Sequence, residues 1–430
     1  RQFVEEITEH YDLDGLFFDG PVFFPSTCYC QHYRARFQQR TGEQPPAEAD
    51  WESPLWHEFI KFRYQMIFEY FDIVRAACKK NIPIYKNAAV LTTTWFGCHN
   101  VELLRDHEDL IGAEHFVFYR PPVEIPYWGA GANARYQVCA GDDKPASVFL
   151  CYGHKRWDYC ALPPAETRRL IMNTAVNGAY PFMTIDDHQV TEDPAHLSPI
   201  AESYQEIAAH EEYFRLPSAA NIGLLWSQTS ADYYASASLT GASGSHHYVV
   251  DAKRDYESGF KGFYQLLLEA GLPFDVLGEV NLSEEKLAEY GALCLPNAAA
   301  MSEQNAGAIR DWVGEGGFLI ATLETSLYDE SGKRRDDFLL SDLFGCNAGD
   351  IAQAPIDYQR LGRKEDLLSD LAGRLLPSFG EFVQIKTESN KATPLAHQIE
   401  RLPWRYAPLP DESKQPTILA LPFGKGHVCY

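Results

Sequence analysis

The stretch Leu13-Asp14-Gly15-Leu16-Phe17-Phe18-Asp19-Gly20 decides the fold. Its apolar run is continuous rather than alternating, which is typical of a buried strand in a parallel sheet that is covered on both faces. Gly20 and the proline that follows it end the strand. Asp19 therefore lies at the carboxyl end of a strand, and it is followed by an aromatic loop containing Phe23 that we interpret as the wall of a pocket.

Four further apolar segments of strand length follow, and predicted helices separate several of them. They lie at 82–89, 110–114, 147–152 and 180–187. Intervals of roughly thirty residues are the size of a βα unit. Five consecutive units with polar residues at the strand ends predict the C-terminal part of a (β/α)8 TIM barrel. We interpret the chain as truncated, because five of the eight strands are recognised and its first residues resemble the middle of a helix.

The sequence predicts an α/β protein with a boundary near residue 216. Residues 1–216 form the partial barrel, and residues 217–349 form a flavodoxin-like α/β domain of the class I glutamine amidotransferase type. In that domain Ser302 and Gly314 predict the start and stop of a helix over 302–313. Residues 350–430 are proline-rich and strand-prone, and we expect them to complete that domain and to begin a C-terminal β region.

The composition argues against several partners. There are 60 acidic and 37 basic residues, giving a net charge of −23, and without a basic cluster we expect neither a nucleic acid nor a membrane partner. The sequence has no uninterrupted apolar stretch of about eighteen residues or more. The ten scattered cysteines indicate reduced thiols. The compartment stays unknown, with the cytoplasm slightly favoured over secretion.

Two segments resemble a known family of glycoside hydrolases. Asp19-Gly20 followed by Cys28-Tyr29-Cys30-Gln31-His32-Tyr33 resembles family 42 β-galactosidases, in which a catalytic carboxylate ends strand four and a Cys-Tyr-Cys-x-x-Cys segment follows. Residues from about 220 to 346 are similar to the β-galactosidase trimerisation domain. The matching segments are Ile222-Gly223-Leu224-Leu225-Trp226, Gly271-Leu272-Pro273-Phe274-Asp275, Leu295-Pro296-Asn297 and Gly316-Gly317.

The resemblance implies a β-galactosidase-like glycosidase that acts on a carbohydrate without a cofactor. It also implies a homo-oligomer, for which a trimer is the first candidate. The same strand resembles a second group, since α-L-fucosidases carry their nucleophile in a Trp-Phe-Asp-Gly motif and this chain has Phe17-Phe18-Asp19-Gly20. Asp19 is an acid/base by one resemblance and a nucleophile by the other. An α-L-fucosidase-like hydrolase and a non-catalytic carbohydrate-binding or assembly protein on a decayed barrel are the alternatives.

The cysteine motif departs from the family pattern. Tyr33 stands where the family has its third cysteine, and tetrahedral zinc needs four Cys or His ligands. We therefore predict no metal; Cys28 and Cys30 are the candidate ligands, His32 is close enough in the sequence to contribute, and a fourth ligand would have to come from elsewhere. Cys294 lies in an apolar strand rather than in a nucleophile elbow, so we expect it in the core and not in an amidotransferase site.

Glycosidic cleavage generally requires two carboxylates that flank the scissile bond. Asp19 ends the first recognised strand and Glu114 ends the third, so we predict that they face each other across the barrel mouth. Asp14 precedes its strand and is set aside. Further residues follow the strand ends and are predicted to bind substrate: Phe23, Asn87, Trp95, His115, His154, Trp157, Asp186 and Asp187.

Overall fold

The computed structural model describes most of the chain, and the following account concerns those residues. They are 1–23, 28–88, 91, 98–117, 119–120, 123–124, 127–141, 144–154, 157–185, 187–234, 237–239, 248–250, 256–362, 370–387, 392–400, 402, 404, 406–410 and 412–430. The chain divides into two compact units. Unit 1 comprises Arg1–Ala219, Ala237–Val249 and Asp275–Val280, and unit 2 comprises Ala220–Ser236, Val250–Phe274 and Asn281–Tyr430.

Helices and strands alternate through the first half of the described chain, and strands dominate its last part. The α-helices are α1 (Gln2–His10), α2 (Gln31–Thr41), α3 (Pro54–Ala77), α4 (Val101–Leu104), α5 (Gly129–Ala140), α6 (Pro164–Val176), α7 (Asp187–Glu192), α8 (Leu197–Ala209), α9 (Glu211–Phe214), α10 (Gln228–Tyr233), α11 (Tyr256–Glu269), α12 (Glu284–Leu287), α13 (Glu303–Gly314) and α14 (Ser341–Phe344). Short 3₁₀ turns occupy Pro194–His196 and Glu279–Asn281.

The strands are β1 (Leu16–Phe18), β2 (Ile84–Ala88), β3 (Ile111–Val117), β4 (Tyr119–Arg120), β5 (Val123–Glu124), β6 (Ala146–His154), β7 (Trp157–Ala161), β8 (Tyr180–Thr184), β9 (Ile222–Leu225), β10 (Ala237–Leu239), β11 (Tyr248–Val250), β12 (Phe274–Leu277), β13 (Ala292–Leu295), β14 (Phe318–Ala321), β15 (Cys346–Leu361), β16 (Leu375–Thr387), β17 (Thr393–Ile399), β18 (Glu412–Phe423) and β19 (Gly426–Cys429).

Unit 1 contains a parallel sheet in which β1, β2, β3, β6 and β8 are neighbours in chain order. These are the five strands that the sequence predicts, and their bounds differ by a few residues at the ends. The structure adds β7, which pairs with β6 in antiparallel fashion. Trp157 is predicted from the sequence to follow a strand end, whereas in the structure it begins β7, whose aromatic and apolar residues favour a strand.

The parallel sheet of unit 1 is strongly curved. Four steps separate β1 from β8, and in a flat sheet they would lie about 19 Å apart. The ring centroids of Phe17 on β1 and Phe182 on β8 are nevertheless 5.8 Å apart, and those of Phe17 and Phe149 on β6 are 6.4 Å apart. The sheet therefore bends toward the face that carries these rings, and that face is concave.

The two faces of this sheet differ in burial. The convex face is closed by α5, α6 and α8, and its side chains, such as Ile84 and Val148, are fully buried. The concave face carries Phe17, Phe149 and Phe182, which are only partly buried. Parallel strands normally bury both faces, so the concave face is the less completely covered side of this sheet.

Unit 2 contains a mixed sheet in the order β9-β13-β14-β19-β18-β17-β15-β16. The strands from β9 to β19 in this order are parallel, and those from β19 to β16 are antiparallel. The predicted helix over 302–313 corresponds to α13, whose N-cap Ser302 accepts a hydrogen bond from the Asn305 amide. Cys294 is buried in β13, as expected for a core residue. In the described part of the chain, no helix is sufficiently long and apolar to cross a membrane.

The last strand, β19, packs closely against the end of α13. A Cβ atom at Gly426 would lie 2.2 Å from the Val313 carbonyl oxygen and 2.3 Å from that of Gly317. Both contacts are with backbone, which cannot rotate away. Gly307, within α13 itself, has open space around the corresponding Cβ position.

We predict opposite effects for the same substitution at these two glycines. Gly426→Ala should lower the free energy of unfolding by about 2 kcal/mol or more because the backbone must move. Gly307→Ala should raise it by up to about 1 kcal/mol, because alanine is the better helix former. Urea unfolding monitored by circular dichroism measures both, and equal effects of the two variants would contradict the packing described.

Candidate active site

A row of side chains crosses the concave face of the sheet in unit 1. Glu114 on β3, Phe149 on β6 and Phe182 on β8 are partners in the parallel register. Partners in adjacent parallel strands project to the same face, so Glu114 belongs to the face on which the phenylalanine rings meet. The side-chain amide of Asn133 on α5 donates a hydrogen bond of 3.3 Å to the Glu114 carbonyl oxygen, which fixes the backbone at this point.

Asp19 lies one residue beyond the end of β1 and is exposed. It follows Phe17 by two residues, so the alternation of a strand places it on the concave face. Gly20 has φ of 72°, a conformation that glycine adopts without strain and that turns the chain sharply away from the sheet. Asp19 and Glu114 therefore share one face of the sheet. Asp19 follows the carboxyl end of β1, but Glu114 does not end its strand as predicted, because β3 continues to Val117.

An open hollow of about 580 Å³ surrounds the end of β1. Phe17, Val22 and Phe23 line it together with side chains from α1 and α3, and among the described lining residues Asp19 is the one that carries a charge. Small-molecule sites are usually lined by apolar side chains with a small number of polar groups.

Phe23, which the sequence predicts to form a pocket wall, packs against Arg63 and Tyr33. The guanidinium of Arg63 lies 5.1 Å from the centre of the Phe23 ring and 4.6 Å from that of Phe59. Tyr33 packs against Phe23 with ring centroids 5.7 Å apart. Arg63 is fully buried, so its charge is stabilised by ring faces instead of water.

Lys86 is a buried positive charge on the face of the sheet opposite Glu114. Its register partner on β1 is Phe18, whereas its neighbour Asn87 pairs with Gly112 on the face that carries Glu114. Burial lowers the pKa of Lys86, whereas Glu108, followed by Cys98 and Glu114, acts to raise it. The backbone amide of Lys86 also donates a hydrogen bond of 3.2 Å to the Glu108 carboxylate. Lys86 is not among the residues predicted from the sequence, where the available signal was a lysine within an apolar segment of strand length, 82–88.

The structure places His115 on the opposite face from Glu114. Its register partner on β6 is Leu150, a buried residue of the convex face. The ring packs against Gly129 at the start of α5, where a Cβ would lie 2.4 Å from His115 Cε1. Burial, followed by the charge of Arg169, lowers the pKa of His115 to about 4. His115 is therefore neutral at neutral pH and is not grouped with the two carboxylates.

The other predicted substrate-binding residues are described in part. Asp187 is exposed at the start of α7. The backbones of Asn87, His154 and Trp157 lie in β2, β6 and β7, while their side chains lie outside the described part of the structure. Trp95 and Asp186 lie outside the described residues altogether.

Cys28 and Cys30 precede α2, and Cys30 is its N-cap residue. Among the described residues, no group of three or more His, Cys, Asp and Glu side chains is arranged to hold a metal ion. The two thiols therefore form a pair without a third ligand in this part of the chain.

A known family model matches part of the second half of the chain. Residues 224–353 match the family model of the beta-galactosidase trimerisation domain. The resemblance predicted from the sequence is thereby confirmed for this segment. The trimerisation domain extends from β9 into β15 and contains the parallel strands of unit 2. None of the curated proteins matches the chain.

Solved structures share the fold of the whole chain. The chain is similar to a beta-galactosidase from Bacillus circulans sp. alkalophilus, with a TM-score of 0.73 and 14% identity, over 100% of this chain and 67% of that one. It is also similar to alpha-L-fucosidase isoenzyme 2 from Paenibacillus thiaminolyticus, with a TM-score of 0.67 and 18% identity, over 99% of this chain and 59% of that one. The chain thus spans about three fifths to two thirds of these proteins, with which it shares a mixed α/β fold.

The buried His115 predicts a specific dependence of stability on pH. Its pKa is about 4 in the folded protein and about 6.5 in the unfolded chain. The unfolded chain therefore binds a proton first as the pH falls. The stability associated with neutral His115 is fully present above pH 6.5 and is lost as the pH falls toward 4, by up to about 3 kcal/mol.

A His115→Gln variant should remove this component. We expect its free energy of unfolding to fall less than that of the wild type between pH 7 and pH 4.5, as measured by urea unfolding at each pH. The difference between the two proteins isolates His115 from the many carboxylates that titrate in both. Parallel curves for the two proteins would contradict the assignment.

Proposed function

We propose that the protein is a glycoside hydrolase of the β-galactosidase-like type, with Asp19 and Glu114 as its carboxylate pair. The observation that carries the proposal is their common position on the concave face of a curved parallel sheet, with Asp19 directly after the carboxyl end of β1. Residues 1–216 are proposed to be the C-terminal part of a (β/α)8 barrel, in which catalytic groups lie toward the carboxyl ends of the strands. The fold similarity to a beta-galactosidase supports the proposal.

The resemblance to family 42 implies different roles for the two groups. In that family the carboxylate at this strand end is the acid/base, so Asp19 donates the proton to the leaving group. Glu114 then serves as the nucleophile or as the base that activates water. The aromatic rings of Phe17 and Phe23 beside Asp19 offer flat apolar surfaces to a sugar ring.

A second candidate activity is that of an α-L-fucosidase. It is favoured by the Phe17-Phe18-Asp19-Gly20 motif and by the similarity to an alpha-L-fucosidase. This alternative makes Asp19 the nucleophile. A protein that binds carbohydrate without cleaving it is the remaining alternative, and it predicts ligand binding without turnover.

We further propose that residues 217–349 form a flavodoxin-like assembly domain, which residues 350–430 complete and extend. The family match at 224–353 supports self-association. Light scattering after size-exclusion chromatography should give a mass that is a multiple of 48.6 kDa, with the trimer as first expectation. A strictly monomeric protein at micromolar concentration would contradict this part of the proposal.

Substitution of either carboxylate should abolish most activity. We expect Asp19→Asn and Glu114→Gln each to lower kcat on aryl glycosides roughly 100-fold or more, in the longest chain that contains this sequence. Asp14→Asn is the matched control, because Asp14 is an exposed carboxylate before β1 and should leave turnover unchanged. Wild-type rates in either of the first two variants would remove that residue from the mechanism.

Substrate choice and leaving-group dependence separate the candidates. Aryl β-galactosides and aryl α-L-fucosides should be compared first. If Asp19 donates the proton, Asp19→Asn should retain much of its turnover on dinitrophenyl glycosides, whose leaving group needs no protonation. If Asp19 is the nucleophile, the variant should be equally impaired on every leaving group. Binding without hydrolysis of either sugar would favour the non-catalytic alternative.

A further inference from the structure

The concave face of the sheet in unit 1 is built in layers. Phe17 on β1 and Phe182 on β8 belong to one layer, because their ring centroids lie 5.8 Å apart. Side chains on one face of a strand recur at every second residue. Two residues further toward the carboxyl ends of these strands are Asp19 and Thr184, which therefore belong to the next layer.

Thr184 is the last residue of β8. Its register partner on β6 is Cys151, which follows Phe149 by two residues, and Phe149 is in turn the partner of Phe182. Glu114 is the partner of Phe149 on β3. The register thus places Thr184 on the face that carries Glu114, one pleat further toward the carboxyl ends of the strands.

The hydroxyl of Thr184 is enclosed but not satisfied. In the part of the chain that the structure describes, its Oγ1 atom is shielded from solvent and makes no hydrogen bond to a protein group. A buried hydroxyl without a hydrogen-bond partner costs free energy relative to a paired one. Valine has nearly the same shape and would fill the same space without that cost, so packing alone gives no reason for a threonine at this position.

Two other hydroxyls of unit 1 share this state but lie in a different environment. Ser147 is at the amino-terminal end of β6 and Thr167 is on α6, and their hydroxyl oxygens are likewise enclosed without a partner. Both residues are buried, with 4% and 0% of their surface exposed. Thr184 is partly exposed, so part of this residue, unlike the other two, faces space that a ligand can reach.

Thr184 can present its hydroxyl without any movement of the backbone. Rotation by about 120° around the Cα–Cβ bond carries Oγ1 to another staggered position. The rotation breaks no hydrogen bond to the described protein, because the enclosed hydroxyl makes none. It can also bring the methyl group into the enclosed position, where an apolar group is favoured over an unpaired polar one.

We propose that Thr184 is a substrate-binding residue whose hydroxyl turns into the concave face and forms a hydrogen bond with a hydroxyl of the bound sugar. The inference rests on the proposed function, because it takes the ligand to be a carbohydrate. The rings of Phe17 and Phe182 form the apolar floor below this layer, and Asp19 lies in the same layer as Thr184. A sugar ring has apolar faces and a rim of hydroxyls, so it matches an aromatic floor with polar groups around it.

The test compares Thr184→Val, Thr184→Ser and Thr167→Val with the wild type, in the longest chain that contains this sequence. Thr184→Val should lower kcat/KM about fivefold or more on the aryl glycoside that the wild type cleaves best, since one hydrogen bond to the substrate is lost. Thr184→Ser retains the hydroxyl and should stay within about twofold of the wild type. Thr167→Val removes an equally unpaired hydroxyl outside the site and should leave kcat/KM unchanged.

Urea unfolding shows that such a loss does not come from a damaged fold. Neither valine variant should have a lower unfolding midpoint than the wild type, because each removes a buried hydroxyl that has no partner in the described protein.

Monodeoxy substrates identify the partner of the Thr184 hydroxyl. Each of these aryl glycosides lacks one hydroxyl of the sugar. The loss caused by Thr184→Val should persist on all of them except one, on which the variant and the wild type should be equal, because the hydrogen bond is then absent from both. Equal losses on every member of the series would make the effect of Thr184 indirect and would overturn the proposal.

Binding separates this inference from the proposed hydrolysis. Calorimetry with D-galactose and with L-fucose measures the affinity of the same four proteins. A wild type that binds either sugar without cleaving glycosides, and binds it more tightly than Thr184→Val, removes the hydrolase proposal and supports the role of Thr184. An active wild type that Thr184→Val matches in kcat/KM overturns this role and leaves the hydrolase proposal standing. A protein that neither cleaves nor binds a sugar overturns both.

Discussion

The curvature of one parallel sheet governs the placement of every candidate catalytic group. It is visible in the contact between Phe17 on β1 and Phe182 on β8, which a flat sheet of the same strands does not permit. Since side chains alternate between faces, the same bend gathers alternate residues of each strand onto one concave surface. Glu114 belongs to that surface through its register with Phe149, and Asp19 lies where the first strand leaves it.

Much of this arrangement can be predicted from the sequence, because strand position and strand polarity are local properties. The apolar run before Asp19 suffices to place it at a strand end, and the interval to Glu114 places that residue in the third strand, although β3 continues for three residues beyond it. The face of the sheet on which a side chain lies is harder to predict from the sequence. Glu114 and His115 are adjacent in sequence and look equally suited to a site, yet a shift of one residue in a strand reverses the face.

The remaining features depend on contacts between distant segments. Lys86 lies beside Glu108, 22 residues away in the chain, only because the two segments pack together, and no local sequence pattern indicates that its charge is buried. Arg63 belongs to a helix whose apolar spacing predicts a core face, and its place between two aromatic rings follows from the packing of α3 against the loop after Asp19. Secondary-structure propensity and hydrophobic periodicity do not predict contacts between distant segments, because tertiary packing determines them.

The buried guanidinium of Arg63 has a mechanical consequence. Its attraction to the rings of Phe23 and Phe59 ties the hollow beside Asp19 to α3, a helix of 24 residues. Each such contact is worth about 1–2 kcal/mol where water is excluded. Phe23 therefore cannot swing outward alone to admit a larger ligand, because the displacement would uncover a charge. The position of this wall of the hollow is thus held by a buried charge that lies behind Phe23.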